Sequence, residues 1–382
     1  MTSIDKRTRE PGHHVASTLE ELVDEVLPSA HHELAERGHR HLGLPPVSLV
    51  VDDRTWTFDP GIGGEPVRVT VDADALPLLL NGQASTTGLM VRGGARCEPG
   101  NFGTVGAWDV VLRALLDGIP VHEPGAVDLR ELDLRRAFSP DDGDDELAAH
   151  LAAVGFAHLR GWVDPGLLER VDAEAHEAAA AAAPGQPDRW WATTASGDDV
   201  CVRVQRLLDV SPAMAELMAG DVYRRIGSLF DDDHARDPER AGSCEALLKP
   251  VDVVRGLSEF PWHRDCTQGG CAYNCSDYSA GLPLHPTGGE RGHLSVMAGS
   301  HRASTPAPGM IRGWRSDLPV VALATEPGDL TIHLSCTLHM TEPPRTAPRT
   351  VVYTTWVLPT EDHGPEKSPQ PDLDRLASMG AA

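Results

Sequence analysis

Lysine is almost missing from this chain, and so is any long apolar run. Only Lys6, Lys249 and Lys367 occur among 382 residues, and the formal net charge is −24. We therefore expect neither nucleic acid nor an anionic membrane surface as a partner, because both require cationic faces. No apolar stretch reaches the roughly 18 residues that predict a membrane-spanning helix, so we expect no membrane insertion.

The cysteines and the N-terminus indicate a cytoplasmic protein. Seven cysteines form no even, regular framework in a chain of this length, which favours free thiols in a reducing compartment. The segment 1–23 carries charge and histidine throughout and has no apolar core of a signal peptide.

Residues 1–140 are predicted to form a small α+β domain. Alternation and apolar runs predict strands over 47–51, 55–58, 67–71 and 88–92, and a helix over 108–116. The segment contains no catalytic constellation, and we expect its histidine near the end, His122, to lie at the surface.

A second domain is predicted over residues 141–362, followed by a flexible tail over 363–382. The acidic, turn-rich stretch 139–145 marks the boundary, and Asp144 or Asp145 is expected to cap a helix over 146–154. Asp164 followed by Pro165 predicts another helix start. Between residues 200 and 358, short apolar segments alternate with turn signals, which indicates a β-sandwich or barrel.

The strongest chemical signal is the pair His263 and Asp265. In a strand, residues two apart point to the same face, so an imidazole and a carboxylate would converge there. His339 is the candidate for a third ligand, and the set then matches the facial triad of non-haem Fe(II) oxygenases. His333 shares a face with His339 in the alternating stretch. We prefer His339 because of its spacing to Arg349.

Arg349 follows His339 by ten residues, on the next β-like segment. A guanidinium inside a barrel is costly unless it meets an anion, and its fork matches a carboxylate. A bound dicarboxylate cosubstrate would supply that anion.

Four motifs in this order make residues 145–360 resemble the phytanoyl-CoA dioxygenase family of Fe(II)/2-oxoglutarate oxygenases. The motifs are a helix–strand opening over 147–168, the segment 261–265, the segment 292–302, and Gly328-Asp329 followed by His339 and Arg349. Glu342-Pro343-Pro344 and Ala298 depart from the family pattern, outside the ligand set.

The resemblance implies a double-stranded β-helix, a cupin-like jelly roll with flanking helices, after the α+β domain. It implies His263, Asp265 and His339 as iron ligands, and Arg349, with Thr341 and Lys249, as the binding site of 2-oxoglutarate. The implied reaction uses O2 to hydroxylate a C–H bond of a small-molecule substrate and releases succinate and CO2. Because related halogenases lack the carboxylate ligand, Asp265 favours hydroxylation or another oxidation. The oligomeric state is not predicted.

Three further interpretations stay open. Residues 75–82 and 88–93 resemble part of a sterol-carrier-protein-2-like domain, which implies an apolar ligand or a covering role. A jelly roll that binds a lipid or small molecule without chemistry is one alternative function. A zinc-dependent cupin is another, and Cys266, Cys271 and Cys275 near His263 invite it, although their spacing is unlike paired structural zinc ligands.

Overall fold

The computed structural model describes residues 14–230, 233–256, 261–267 and 277–357. Cys271 and Cys275, the residues before 14 and the tail from residue 358 lie outside this part of the chain, so the predictions made for them are not tested.

The first unit packs helices on a four-stranded sheet. Its elements are α1 (Leu19–Glu21), α2 (His32–Leu42), β1 (Val47–Val51), β2 (Arg54–Phe58), β3 (Val67–Val71), α3 (Leu76–Leu80), α4 (Thr86–Arg92), β4 (Ala95–Cys97) and α5 (Phe102–Asp117). The strand order is β2-β1-β3-β4, with β1 and β3 parallel. In β3, Val67, Val69 and Val71 are buried and Arg68 is exposed, which is the alternation that predicts a half-buried strand.

The strand predicted over 88–92 is wrong, because these residues belong to helix α4. The helix begins after Ser85, whose hydroxyl accepts a hydrogen bond from the Gly88 amide. It ends at Gly93, which adopts a left-handed conformation (φ 91°). Local capping at both ends therefore outweighs the strand propensity of the short apolar run between them.

The expectation that His122 lies at the surface is also wrong. Its side chain is buried, and Nε2 lies 2.7 Å from Asp317 Oδ1. The neighbouring Val121 forms a parallel β-bridge with Ser304. A segment almost 200 residues later in the chain therefore covers this histidine, and no local sequence pattern indicates that contact.

The second unit is dominated by strands, with helices at its flank. Its elements are β5 (Ala137–Phe138), α6 (Asp144–Val154), β6 (Phe156–Leu159), α7 (Pro165–Ala180), β7 (Arg189–Thr194), β8 (Asp199–Val204), α8 (Pro212–Ala219), α9 (Asp221–Gly227), β9 (Cys244–Lys249), β10 (Val253–Arg255), β11 (Tyr278–Pro283), β12 (Leu294–Met297), β13 (Val320–Leu323), β14 (Leu330–Leu334), β15 (His339–Thr341) and β16 (Arg349–Trp356).

The helix starts of this unit agree in part with the sequence prediction. Asp164 caps α7 by accepting a hydrogen bond from the Gly166 amide, with Pro165 in the first turn, as predicted. The N-cap of α6 is Gly143, whereas Asp144 or Asp145 was expected. Both aspartates lie in the first turn of α6 instead, where the helix dipole favours negative charge.

Two sheets enclose the interior of the second unit. A nine-stranded sheet has the order β10-β7-β8-β9-β16-β11-β14-β6-β5, and a three-stranded sheet has the order β13-β12-β15. The two sheets approach each other where Lys249 on β9 donates a hydrogen bond to Thr341 on β15. The outer face of the large sheet packs on an apolar cluster that includes residues of α7, α8 and α9. The arrangement agrees with the expected jelly roll, and the domain boundaries themselves stay predictions.

Candidate metal centre

A backbone bridge between two distant segments brings His263 and His339 together. Each residue donates its amide hydrogen to the carbonyl of the other, with N···O distances of 3.0 Å. The two imidazole rings lie with their centroids 4.2 Å apart. This pairing places both side chains on the inner side of the small sheet, at the start of β15.

Asp265 completes the cluster from a turn, although the sequence analysis placed it in a strand with His263. It begins a single 3₁₀ turn, Asp265–Thr267, and its amide donates to the Ser335 carbonyl at 2.9 Å. One carboxylate oxygen, Oδ1, lies 3.5 Å from His263 Nε2 and 3.8 Å from His339 Nε2. The convergence that strand geometry predicted therefore arises from a bridge followed by a turn.

The three side chains form a donor set that suits a divalent metal ion. One ligand atom from each of His263, Asp265 and His339 lies within 4.8 Å of the other two. His263 Nδ1 is 2.6 Å from the Pro261 carbonyl and His339 Nδ1 is 2.9 Å from the Thr337 carbonyl. Since a carbonyl only accepts, each Nδ1 carries the hydrogen and each Nε2 presents a lone pair toward Asp265.

The environment of His339 keeps its imidazole neutral. Burial is the main cause that holds the pKa of His339 well below its usual value, and the neighbouring His333 and His263 lower it further. A neutral imidazole is the form that binds a metal ion. The cluster therefore suits a metal ion in the protonation state of His339 as well as in its geometry.

His333 lies beside the cluster, on the inner face of β14. Its Nε2 is 3.3 Å from Asp265 Oδ2, the carboxylate oxygen that does not face the other two histidines. Its ring lies 4.2 Å from that of His339, between centroids. Sequence reasoning considered His333 only as a rival ligand and did not anticipate its contact with Asp265.

Tyr353 is a second neighbour that sequence reasoning missed. Its ring makes an edge contact with His333, with centroids 6.1 Å apart. Burial raises the pKa of the Tyr353 hydroxyl to about 12, although the nearby Arg349 lowers it. The alternation along β16, which places Arg349 and Tyr353 on one face, is the signal that could have identified it.

Arg349 and Lys249 lie at paired strand ends of the large sheet, beside Thr341 of the small sheet. Arg349 on β16 is in register with Lys249 on β9, and both side chains are almost fully buried. Lys249 Nζ donates to Thr341 Oγ1 at 2.9 Å. The structure thus brings together the three residues that the sequence analysis assigned to binding of the dicarboxylate.

Arg264 fixes the segment that carries His263 and Asp265. Its guanidinium is buried and donates to the carbonyls of Cys336, Thr305, Ser300 and Ala303, at 2.9 to 3.2 Å. These carbonyls belong to the turn before β15 and to the loop after β12. The residue between the two candidate ligands therefore connects them to both loops.

Together, the two sheets and this donor set define the class: a jelly-roll protein with a cluster of two histidines and one carboxylate that could hold a metal ion. The model of the family described as phytanoyl-CoA dioxygenase (PhyH) matches residues 151–351, slightly more than half of the chain. The chain belongs to this family.

Three solved structures are similar to part of this chain in their fold. AviO1 from Streptomyces viridochromogenes Tue57 is 21% identical with a TM-score of 0.46, and the match covers 58% of this chain and 98% of that one. The non-heme alpha ketoglutarate dependent epimerase SnoN from nogalamycin biosynthesis is 22% identical with a TM-score of 0.43, covering 61% and 94%. EctD from S. alaskensis with bound Fe is 19% identical with a TM-score of 0.49, covering 63% and 86%. No curated protein sequence matches this chain.

Two other expectations concern the membrane and the alternative zinc site. Among the described residues, no helix is long and apolar enough to cross a bilayer. Cys271 and Cys275 lie outside the described residues, and the sulfur of Cys266 lies 3.2 Å from that of Cys336. The resemblance of the first unit to a sterol-carrier domain stays a prediction.

Proposed function

We propose that the protein is an Fe(II)- and 2-oxoglutarate-dependent dioxygenase that oxidises a C–H bond of a small molecule. The observation that carries the proposal is the convergence of His263, Asp265 and His339 within 4.8 Å, with both Nδ1 atoms turned to carbonyls. Two imidazoles and one carboxylate on one face of an ion are typical of non-haem Fe(II) oxygenases and leave open positions for other ligands. Membership of the phytanoyl-CoA dioxygenase family supports an oxygenase-type reaction.

In this proposal the protein supplies the binding sites and the orientation. His263, Asp265 and His339 hold Fe(II), and Arg349, with Thr341 and Lys249, holds the distal carboxylate of 2-oxoglutarate. Iron with this cosubstrate and O2 would supply the oxidising chemistry, with succinate and CO2 as co-products. Arg349 is suited to its role because a buried guanidinium forms a charge-assisted, two-pronged contact with a carboxylate.

We propose hydroxylation as the outcome, since the carboxylate of Asp265 occupies the position that related halogenases leave open. A small metabolite is the favoured substrate over an acyl-CoA, because a chain with net charge −24 offers few cations for a pyrophosphate.

Succinate formation separates this function from a binding protein without chemistry. The full chain, supplied with Fe(II), 2-oxoglutarate and air, is expected to release succinate, and more when a substrate is added. Asp265→Ala should abolish the release, because the carboxylate ligand is lost, whereas Asp141→Ala at an exposed position should not. A wild-type chain that binds Fe(II) but releases no succinate would exclude the proposal and favour a carrier.

A further inference from the structure

Two buried cysteines touch each other directly beside the candidate metal centre. The sulfur atoms of Cys266 and Cys336 lie 3.2 Å apart, and the residues are 5% and 7% exposed. Neither sulfur is part of a disulfide bond in this structure. They are 70 residues apart in the chain, so the contact is a product of the fold and not of local sequence.

The pair joins the two segments that carry the candidate ligands. Cys266 directly follows Asp265, and Cys336 precedes His339 by three residues. Backbone hydrogen bonds hold the segments in this position: the amides of Asp265 and Cys266 both donate to the Ser335 carbonyl. A covalent bond between the sulfurs would therefore tie the turn of Asp265 to the turn that precedes β15.

The Arg264 guanidinium contacts the backbone of Cys336. It donates through Nε to the carbonyl of Cys336 at 2.9 Å. A fixed positive charge stabilises the negative charge that develops on sulfur when it reacts as a nucleophile. The pair thus has the direct sulfur–sulfur contact that disulfide formation requires, and the Arg264 cation is hydrogen-bonded to the backbone of one partner.

We propose that Cys266 and Cys336 are a redox modification site, which a peroxide oxidises to a disulfide. One sulfur attacks a peroxide oxygen, the O–O bond breaks, and a sulfenic acid and one water form. The second sulfur displaces the hydroxyl group as water and the S–S bond forms. The two thiols supply two electrons and two protons, so that one hydrogen peroxide yields one disulfide and two waters.

The disulfide alters the neighbouring metal centre. The sulfur atoms must approach from 3.2 Å to about 2.05 Å, which draws the two ligand-bearing segments toward each other. Asp265, adjacent to Cys266, then moves relative to His263 and His339. We expect metal affinity to fall about tenfold or more, as it does when partners of ligands are disturbed in metal sites. This consequence rests on the proposed metal centre, whereas the disulfide itself does not.

Peptide mapping tests the disulfide. The metal-free, reduced full chain is treated with hydrogen peroxide, its remaining thiols are alkylated, and it is digested without reductant for mass spectrometry. We expect a Cys266–Cys336 cross-link that dithiothreitol reverses. The cross-link should be absent in Cys336→Ser and unchanged in Cys244→Ser, which removes a buried cysteine elsewhere. Two outcomes would overturn the proposal. In the first, Cys266 and Cys336 stay alkylated as thiols at a peroxide dose that oxidises the half-buried Cys97. In the second, either cysteine is cross-linked to a different cysteine.

Calorimetric titration with Co(II) tests the consequence for the metal centre. The reduced chain is expected to bind one ion, and the oxidised chain to bind it about tenfold or more weakly until reductant is added. Equal affinity in both forms would refute the coupling. A reduced chain that binds no metal would contradict the proposed function, while the peptide map would still decide the disulfide. If Cys336→Ser does not fold, the peptide map of the wild-type chain still decides whether the disulfide forms.

Discussion

At the scale of the residue, the two oxygens of Asp265 have different neighbours. Oδ1 faces His263 and His339, and Oδ2 lies 3.3 Å from His333 Nε2. We infer that His333 positions the carboxylate by donating its Nε2 hydrogen to Oδ2, which keeps Oδ1 directed at the place where the proposed ion would bind. Such hydrogen bonds to a ligating carboxylate commonly support metal affinity.

Replacing His333 tests this positioning role. His333→Phe removes the donor at similar size, and metal affinity is expected to fall about 10- to 100-fold. His333→Gln retains a donor and should restore part of the affinity. Co(II) titration of both variants beside His339→Ala provides the measurement. Should His333→Gln lose all binding while His339→Ala retains it, His333 would be the ligand and the assignment would be reversed.

Single residues were predictable from the sequence where spacing was decisive. The convergence of His263, Asp265 and His339 was predicted from their spacing and from the resemblance of four motifs to the phytanoyl-CoA dioxygenase family. The roles of these residues and of Arg349 stay predictions. The contact of His333 with Asp265 depends on how β14 faces a turn 68 residues earlier, and no local pattern encodes that distance.

At the scale of the element, Gly281 on β11 provides the space that Tyr353 occupies. A Cβ atom at Gly281 would lie 2.8 Å from Tyr353 Cε1 and 2.9 Å from Thr331 Oγ1. Tyr353 is directly opposite Gly281 on β16. The missing side chain on one strand therefore lets the aromatic ring of the next strand lie beside His333.

A double-mutant cycle tests this close packing. Gly281→Ala is expected to lower the free energy of unfolding by about 1–3 kcal/mol, because it overpacks the inner face. The same change in a Tyr353→Leu background should cost distinctly less, since the ring is gone. Urea unfolding of the four proteins gives the coupling energy. Strictly additive effects would show that the ring does not depend on this space.

Elements were predictable where their periodicity is strong. The alternation of valines in β3 and the Asp164-Pro165 start of α7 both correspond to the structure. The helix α4 was not predicted, because its apolar run, Leu89-Met90-Val91, is too short to show a period. Its side-chain cap at Ser85 and its glycine stop at Gly93 decide its conformation.

At the scale of the whole molecule, the loop between β12 and β13 connects the first unit to the metal centre. Met310, Ile311 and Trp314 on this loop pack against the core of the first unit. The same loop presents the Thr305 carbonyl to Arg264, which lies between the candidate ligands His263 and Asp265 in the chain. Sequence reasoning missed this contact because it joins segments far apart in the chain. The first unit therefore supports a loop that contributes to the site.

Asp317, on the same loop, links this connection to pH. Its carboxylate accepts hydrogen bonds from His122 Nε2 and the Gly125 amide, both at 2.7 Å. Burial acts to raise the pKa of Asp317, but these hydrogen bonds outweigh it and the pKa is lowered. A lowered pKa means that Asp317 stabilises the fold fully above its unfolded pKa of about 4, and that this contribution is lost as pH falls below it.

We therefore expect Asp317→Asn to be less stable than the wild type near neutral pH, with a difference that shrinks below about pH 4. Asp141→Asn, at an exposed position, should show little difference at any pH. Urea unfolding across the pH range measures both. A difference for Asp317→Asn that is the same at every pH would show that the charge of Asp317 has no part in holding the loop.

The most direct test of the account is the visible absorption of the anaerobic full chain with Fe(II), before and after 2-oxoglutarate. We predict a weak charge-transfer band that requires both and is absent with Zn(II) and in His339→Ala. The band should persist in His293→Ala, which removes a histidine that pairs with Glu342 and is outside the candidate ligand set. Arg349→Gln should require about 10- to 100-fold more 2-oxoglutarate, since hydrogen bonds to a charged group contribute about 1.5–3 kcal/mol. One bound Fe(II) without any band on adding 2-oxoglutarate, or an unchanged band in His339→Ala, would contradict the account.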